Sequence, residues 1–252
     1  MSEFIKKNEI WIFLVLGPVV NVFYVYARIQ GLVPRFLYIH GRFCVLLLVL
    51  LCIVKFTRNW KVDPKWYLFG LLFAFIVGTF TVLLKGLYYG GEITRFLKLD
   101  IAVINLKTSL ILLVWAFLGE VVWISYCLRE LSKITKPFYA SLIVGFFWTL
   151  WWIPVIHHGE GILPGIPILP LSIFLMGIAG MCAVVYGQVR SGVVILIMQF
   201  MVNMTLNTLS VSPTKGGVPT FTAFAIIYFL TMLSFMYYMN PIKVKLKNRN
   251  YE

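Results

Sequence analysis

Leu110 to Leu128 reads LILLVWAFLGEVVWISYCL, nineteen residues in which Glu120 is the one charged side chain. A helix rises 1.5 Å per residue, so about 20 apolar residues cross a hydrocarbon layer about 30 Å thick. Runs of the same kind recur to either side. They extend from about Ile10 to Ala27, Phe36 to Val54, Trp66 to Leu84, Ile101 to Leu128, Phe138 to Ile156, Ile162 to Tyr186, Gly192 to Leu209 and Val218 to Met239. The expected fold is therefore an all-α integral membrane protein, a bundle of about eight transmembrane helices forming a single domain over residues 1–252.

Composition points the same way. The chain is 61% hydrophobic and 12% charged, with a mean hydropathy of +0.91, whereas soluble domains carry about 25% charged residues. A soluble fold of this length has too little interior to hide so much apolar surface. Some spans have features of their own. His40 and Arg42 stand near the start of the second, which begins as late as Phe43 on a shorter reading. The fourth is long enough to tilt, or to open with an interfacial turn before Lys107. Pro164, Pro167 and Pro170 predict an irregular or re-entrant opening to the sixth.

The net charge is +13, but the basic residues punctuate the apolar runs and form no aromatic-interleaved patch, which speaks against nucleic acid. Their distribution reads as topology. With the N-terminus inside, fourteen basic residues fall on the cytoplasmic side, Lys6, Lys7, Lys55, Arg129 and Arg190 among them, and eight fall opposite. Both termini are expected in the cytoplasm of a cell-membrane protein, with a short basic tail over about 241–252. The first apolar run has no small-residue cleavage site and reads as a retained span. Cys44, Cys52, Cys127 and Cys182 lie in or beside apolar runs without metal-ligand spacing, so they read as small buried residues.

Ionisable and polar groups inside spans are the first candidates for function. Glu120 lies nine residues before Arg129, about 13 Å inside the edge, where a carboxyl is neutral or paired. Gln199, Asn203 and Asn207 recur every four residues and share a helical face. Gln199 is nine residues from Arg190, so it and Glu120 are expected at similar depth and within reach of each other. The third feature is FFWTLWWIPVIHHGEGILPGIP, which carries Trp148, Trp151 and Trp152 before Pro154 and His157, His158 and Glu160 after it. Adjacent histidines on one stretch of chain rarely share an ion, so no metal and no cofactor is expected.

In this order the three segments resemble the CPBP family, the CAAX-protease and bacteriocin-processing (Abi) membrane proteins that include the type II CAAX prenyl endopeptidases. The likeness covers about residues 110–209. The family's first motif, EExxxR with a tryptophan before the arginine, matches Gly119-Glu120-Val121-Val122-Trp123-Ile124. The second glutamate and the tryptophan are kept, while Gly119 replaces the first glutamate and Ile124 the arginine. The second motif, a WxxWHLP-like string, matches Trp148-Thr149-Leu150-Trp151-Trp152-Ile153-Pro154, with Trp152 in the place of histidine. The third, HxxxN, matches Gln199-Phe200-Met201-Val202-Asn203 after an Arg190-Ser191-Gly192 turn, with Gln199 in the place of histidine.

The resemblance implies a bundle of about eight helices in which the first glutamate and the histidines activate water and the asparagine holds an oxyanion. Gly119 offers no base, Trp152 accepts no proton and Gln199 does not titrate. Glu120 and Asn203 remain. The leading expectation is a non-catalytic family member that binds or modulates another membrane protein or a peptide, or gives self-immunity against a bacteriocin. An active endopeptidase using Glu120, Asn203 and Gln199 is the alternative, and a small transporter with broken helices is the third reading. His157 and His158 lie five and six residues past Trp152, too far along to replace the missing histidine.

Overall fold

The computed structural model describes residues 3–33, 56–90, 99–101, 104–158 and 165–239. Among them seven helices are long and apolar enough to cross a membrane, and no strand occurs. The chain is an all-α, multi-pass membrane bundle. Eight spans were expected; the second, Phe36 to Val54, lies outside the described residues. So do Cys44, Cys52, Glu160 and the tail beyond Met239.

The helices are α1 (Glu3–Ile29), α2 (Pro64–Tyr89), α3 (Leu106–Gly119), α4 (Arg129–Ile134), α5 (Pro137–His157), α6 (Ile168–Val189), α7 (Gly192–Thr208), α8 (Pro213–Gly216) and α9 (Val218–Tyr238). A π-helical segment, Glu120–Leu128, joins α3 to α4 without a break. Local chemistry sets the ends more than apolarity does. The α2 helix starts at Pro64, ahead of the expected Trp66, because Asp63 accepts from the Lys65 amide and Pro64 sits where its missing N–H is no loss. It ends where Gly90 turns left-handed at φ 62°. The fourth span begins at Leu106 and not at Ile101, since Asn105 Oδ1 accepts from the Thr108 amide at 2.9 Å. It also runs past the expected Leu128, through α4 to Ile134.

The sixth span becomes helical only at Ile168. Pro167 is extended immediately before it, and Pro170 falls within the first turn, where an N–H has no helical partner anyway. Pro164 lies outside the described residues.

The α6 helix is the centre of the bundle. It packs between α5 and α9, while α1 lies against α5 and α7 packs on both α2 and α3. Small residues allow the closest approach. A β-carbon on Gly145 of α5 would stand 2.5 Å from Met176 Cα and 2.6 Å from its backbone nitrogen, so only glycine lets these helices meet at this distance. Outward faces are apolar as well: Val15, Val19 and Phe23 of α1 and Leu68, Ile76 and Phe80 of α2 are all exposed. Lipid is the solvent that accommodates them.

One end of the bundle is closed by the short segment that precedes α2. Thr57 O accepts from the Gly192 amide at 2.9 Å, Asn59 Nδ2 donates to Val189 O at 3.3 Å, and Ser191 Oγ donates to Asn59 O. The segment thereby clasps the α6–α7 turn, in which Arg190 takes the left-handed region at φ 48°. Thr57 Oγ1 and the Tyr186 hydroxyl are 2.9 Å apart, and Arg129 Nη1 donates to both, at 3.3 and 3.4 Å.

A tryptophan-walled candidate site

A cavity of about 100 Å³ opens between α3, α5, α6 and α7. Five indoles line it: Trp115 from α3, Trp123 from the π-helical segment, and Trp148, Trp151 and Trp152 from α5. Trp123 and Trp148 stack with centroids 5.7 Å apart and planes 17° from parallel. Trp115 faces Trp152 at 6.5 Å, and Trp151 meets Trp152 edge-on at 5.2 Å. Aliphatic side chains of α6, Leu171, Leu175 and Ile178, complete the apolar wall together with Phe174. The polar contributors are Gln199 and Asn203 of α7, with the Gly119 backbone between them and the indoles.

The wall is made where α3 and α7 run side by side. Asn203 Nδ2 donates to Leu112 O at 3.4 Å. One turn earlier, Gln199 Oε1 comes within 2.7 Å of the point a β-carbon on Gly119 would occupy. Gln199 is only 5% exposed, and its Nε2 has no hydrogen-bond partner among the described residues. Asn207, expected on the same functional face, donates to Asn203 O of its own helix and does not line the cavity.

Glu120 behaves differently from its neighbour Gly119. It is completely buried, yet it is absent from the cavity wall. Ser125 Oγ donates to its Oε1 at 2.6 Å, and the same oxygen lies 3.1 Å from a β-carbon position on Gly192 at the start of α7. Gly192 is seven residues before Gln199, about 10 Å along the helix. The expected meeting of Glu120 with Gln199 finds no hydrogen bond between them: the carboxyl is turned to Ser125 and to the start of α7. Oε2 is left without a partner among the described residues.

The π-helical segment explains the Ser125 contact. In an α-helix, five residues turn about 140° past a full turn, which would separate the two side chains. Hydrogen bonding of i to i+5, as from the Arg129 amide to Ile124 O, widens the turn and brings residues 120 and 125 onto one face. All nine residues of the segment are buried, Ile124 among them at 2% exposure.

No family model matches the chain, and no curated protein matches it. The site therefore stands on its geometry.

Of the residues singled out from sequence, Gly119, Trp148, Trp152, Gln199 and Asn203 come together around one cavity, while Glu120 and Ile124 stand behind its wall. His157 and His158 are exposed at the far end of α5 and do not line it. Among the described residues no cluster of His, Cys, Asp and Glu has the makings of a metal site. Sequence reasoning missed Asn21 of α1, 3% exposed, whose Nδ2 donates to Trp151 O at 2.6 Å and braces the cavity wall from outside. An asparagine amid apolar residues was the signal for it. It also missed Trp115 and the α6 wall, which nothing in an unbroken apolar run distinguishes from lipid-facing residues. Chemically, a wall of indoles, aliphatics and two amides is suited to apolar contact and hydrogen bonding. Among the described residues it carries no group that exchanges a proton near neutral pH.

Proposed function

We propose that this chain is a non-catalytic relative of the CPBP membrane proteins, which uses its intramembrane cavity to bind rather than to cut. Through that cavity it engages an apolar ligand or a segment of another membrane protein and modulates that partner; bacteriocin self-immunity is one setting in which such binding serves. The observation that carries this reading is the divergence of Gly119 and Glu120. Position 119, where the resemblance calls for a base, faces the cavity as glycine. The carboxyl that remains at 120 is turned to Ser125 and Gly192. Trp152 and Gln199, in the places of the two histidines, also face the cavity. Removing several groups that act together leaves little beyond positioning.

The basic-residue distribution supports a cell-membrane location with both termini in the cytoplasm. The clasped end that contains Arg129 and Arg190 then faces inward.

The test is a cleavage assay on purified protein in lipid, with a pooled library of prenylated and unprenylated peptides. Neither wild type nor Glu120→Ala is expected to release product. Cleavage by wild type that disappears in Glu120→Ala would replace this reading with an endopeptidase working from Glu120, Gln199 and Asn203.

A further inference from the structure

We infer that the cavity takes a neutral, membrane-dissolved ring bearing a carbonyl, of the chemical kind found in the head of a small quinone. This inference rests on the cavity-binding reading above and names its ligand class.

Three features of the wall converge on that class. The first is charge. Among the described residues the lining contains no acid and no base, so a charged ligand would be buried without a counter-ion, which is strongly unfavourable. Aromatic walls do hold quaternary ammonium groups, but no carboxylate among the described residues lines this one to balance the charge, and the nearby carboxyl of Glu120 is directed elsewhere.

The second is shape. Five indoles in stacked, tilted and edge-on pairs present flat faces and polarised edges, which favour a planar guest in offset or edge-to-face contact. A cavity of about 100 Å³ is smaller than the apolar cavity of about 150 Å³ that admits benzene, so it takes a single ring, with any substituents reaching out through its opening.

The third is the unmatched amide. Gln199 is 5% exposed, forms part of the wall, and its Nε2 meets no acceptor among the described residues. A buried donor without an acceptor is costly and rare in native folds. Rotation of the amide about its last side-chain bond presents either its nitrogen or its oxygen to the cavity. Asn203, one turn further on, already spends one N–H of its Nδ2 on Leu112 O. With the nitrogen turned to the cavity, the donor at Gln199 is the one that a guest carbonyl satisfies, and the rings supply the rest of the contact.

The test compares two guests of one shape. Duroquinone and durene share a tetramethylated six-membered ring, and only the first carries carbonyls. Saturable binding to full-length protein in nanodiscs is measured by titration calorimetry against protein-free discs. Duroquinone is expected to bind about tenfold more tightly than durene, a ratio in the range of one added hydrogen bond. In Gln199→Leu, duroquinone should weaken about tenfold to the level of durene, with durene unchanged. Equal affinity for both guests, insensitive to Gln199→Leu, would overturn the carbonyl inference and leave cavity binding standing. Absence of saturable binding by either guest would overturn the inference and also remove apolar ligands from the functional reading.

Discussion

Gln199 Oε1 and Gly119 are mutually fitted: the amide oxygen stands 2.7 Å from where a β-carbon on residue 119 would be, with Trp148 Cζ2 3.2 Å from the same point. Glycine at 119 is what allows the α7 amide to stand in the wall between α3 and the indoles. The obstructing atom nearest the new methyl is the end of a flexible side chain, so Gly119→Ala moves the amide rather than the backbone. It also removes a helix-interior glycine, worth up to about 1 kcal/mol in propensity. Thermal unfolding of Gly119→Ala is expected within about 1 kcal/mol of wild type, with duroquinone affinity reduced severalfold.

Gly145 gives the opposite case. The atoms that a β-carbon there would strike are Met176 Cα and backbone nitrogen, at 2.5 and 2.6 Å, and backbone does not yield. Gly145→Ala must push α5 away from α6, the partner it packs on most extensively. A loss of about 3 kcal/mol is expected from such overpacking, read as a lowered unfolding midpoint in detergent.

Gln199→Leu should separate stability from binding. The side chain is 5% exposed with Nε2 unpartnered, so an apolar replacement relieves an unmet donor. The variant is expected to be about 1 kcal/mol more stable than wild type while binding duroquinone less well. A drop in stability would show that the amide has a structural partner.

The clasp at the Arg129 end is a coupled set. Thr57 and Tyr186 bond each other at 2.9 Å, and Arg129 reaches both. Tyr186→Phe and Thr57→Val are each expected to cost about 1 kcal/mol. A double-mutant cycle should give a combined loss below the sum, because either change breaks the same bond.

Asp63 supplies a pH-dependent cap. The Lys65 side chain, and then its backbone amide, hold the Asp63 carboxyl below the usual aspartate range. A depressed carboxylate contributes its stabilisation above the unfolded value and loses it as pH falls through the folded one. Hydrogen exchange at the Lys65 amide should therefore accelerate, relative to intrinsic rates, only in acid below the ordinary aspartate range. Asp63→Asn, which caps without a charge, should abolish that pH dependence.

The membrane class and most spans were legible because a bilayer demands about 20 apolar residues in a row, and Leu110 to Leu128 alone satisfies that demand. Helix ends were less so, since Asp63 and Asn105 act through single hydrogen bonds that apolarity does not register. Spacing by four put Gln199, Asn203 and Asn207 on one helical face; the first two line the cavity, while Asn207 bonds within its own helix. The direction of Glu120 was hidden, because it depends on a π-helical turn that an apolar sequence does not announce. The α6 wall was hidden for a related reason: Leu175 facing a cavity and Leu72 facing lipid are the same residue type in the same kind of run.

The proposed function rests on Gly119, Trp152, Gln199 and Asn203 lining a cavity that binds an apolar guest. Photolabelling in native membrane with a small diazirine-bearing phenyl ketone, mapped by mass spectrometry, tests it most directly. The account predicts labels on Leu175, Trp152 and Val202 of the cavity wall. Those labels should vanish in Gly119→Leu, while labelling of outward residues such as Phe23 and Ile76 persists. Labels confined to outward residues in wild type, or cavity labels unchanged by Gly119→Leu in a folded variant, would contradict it.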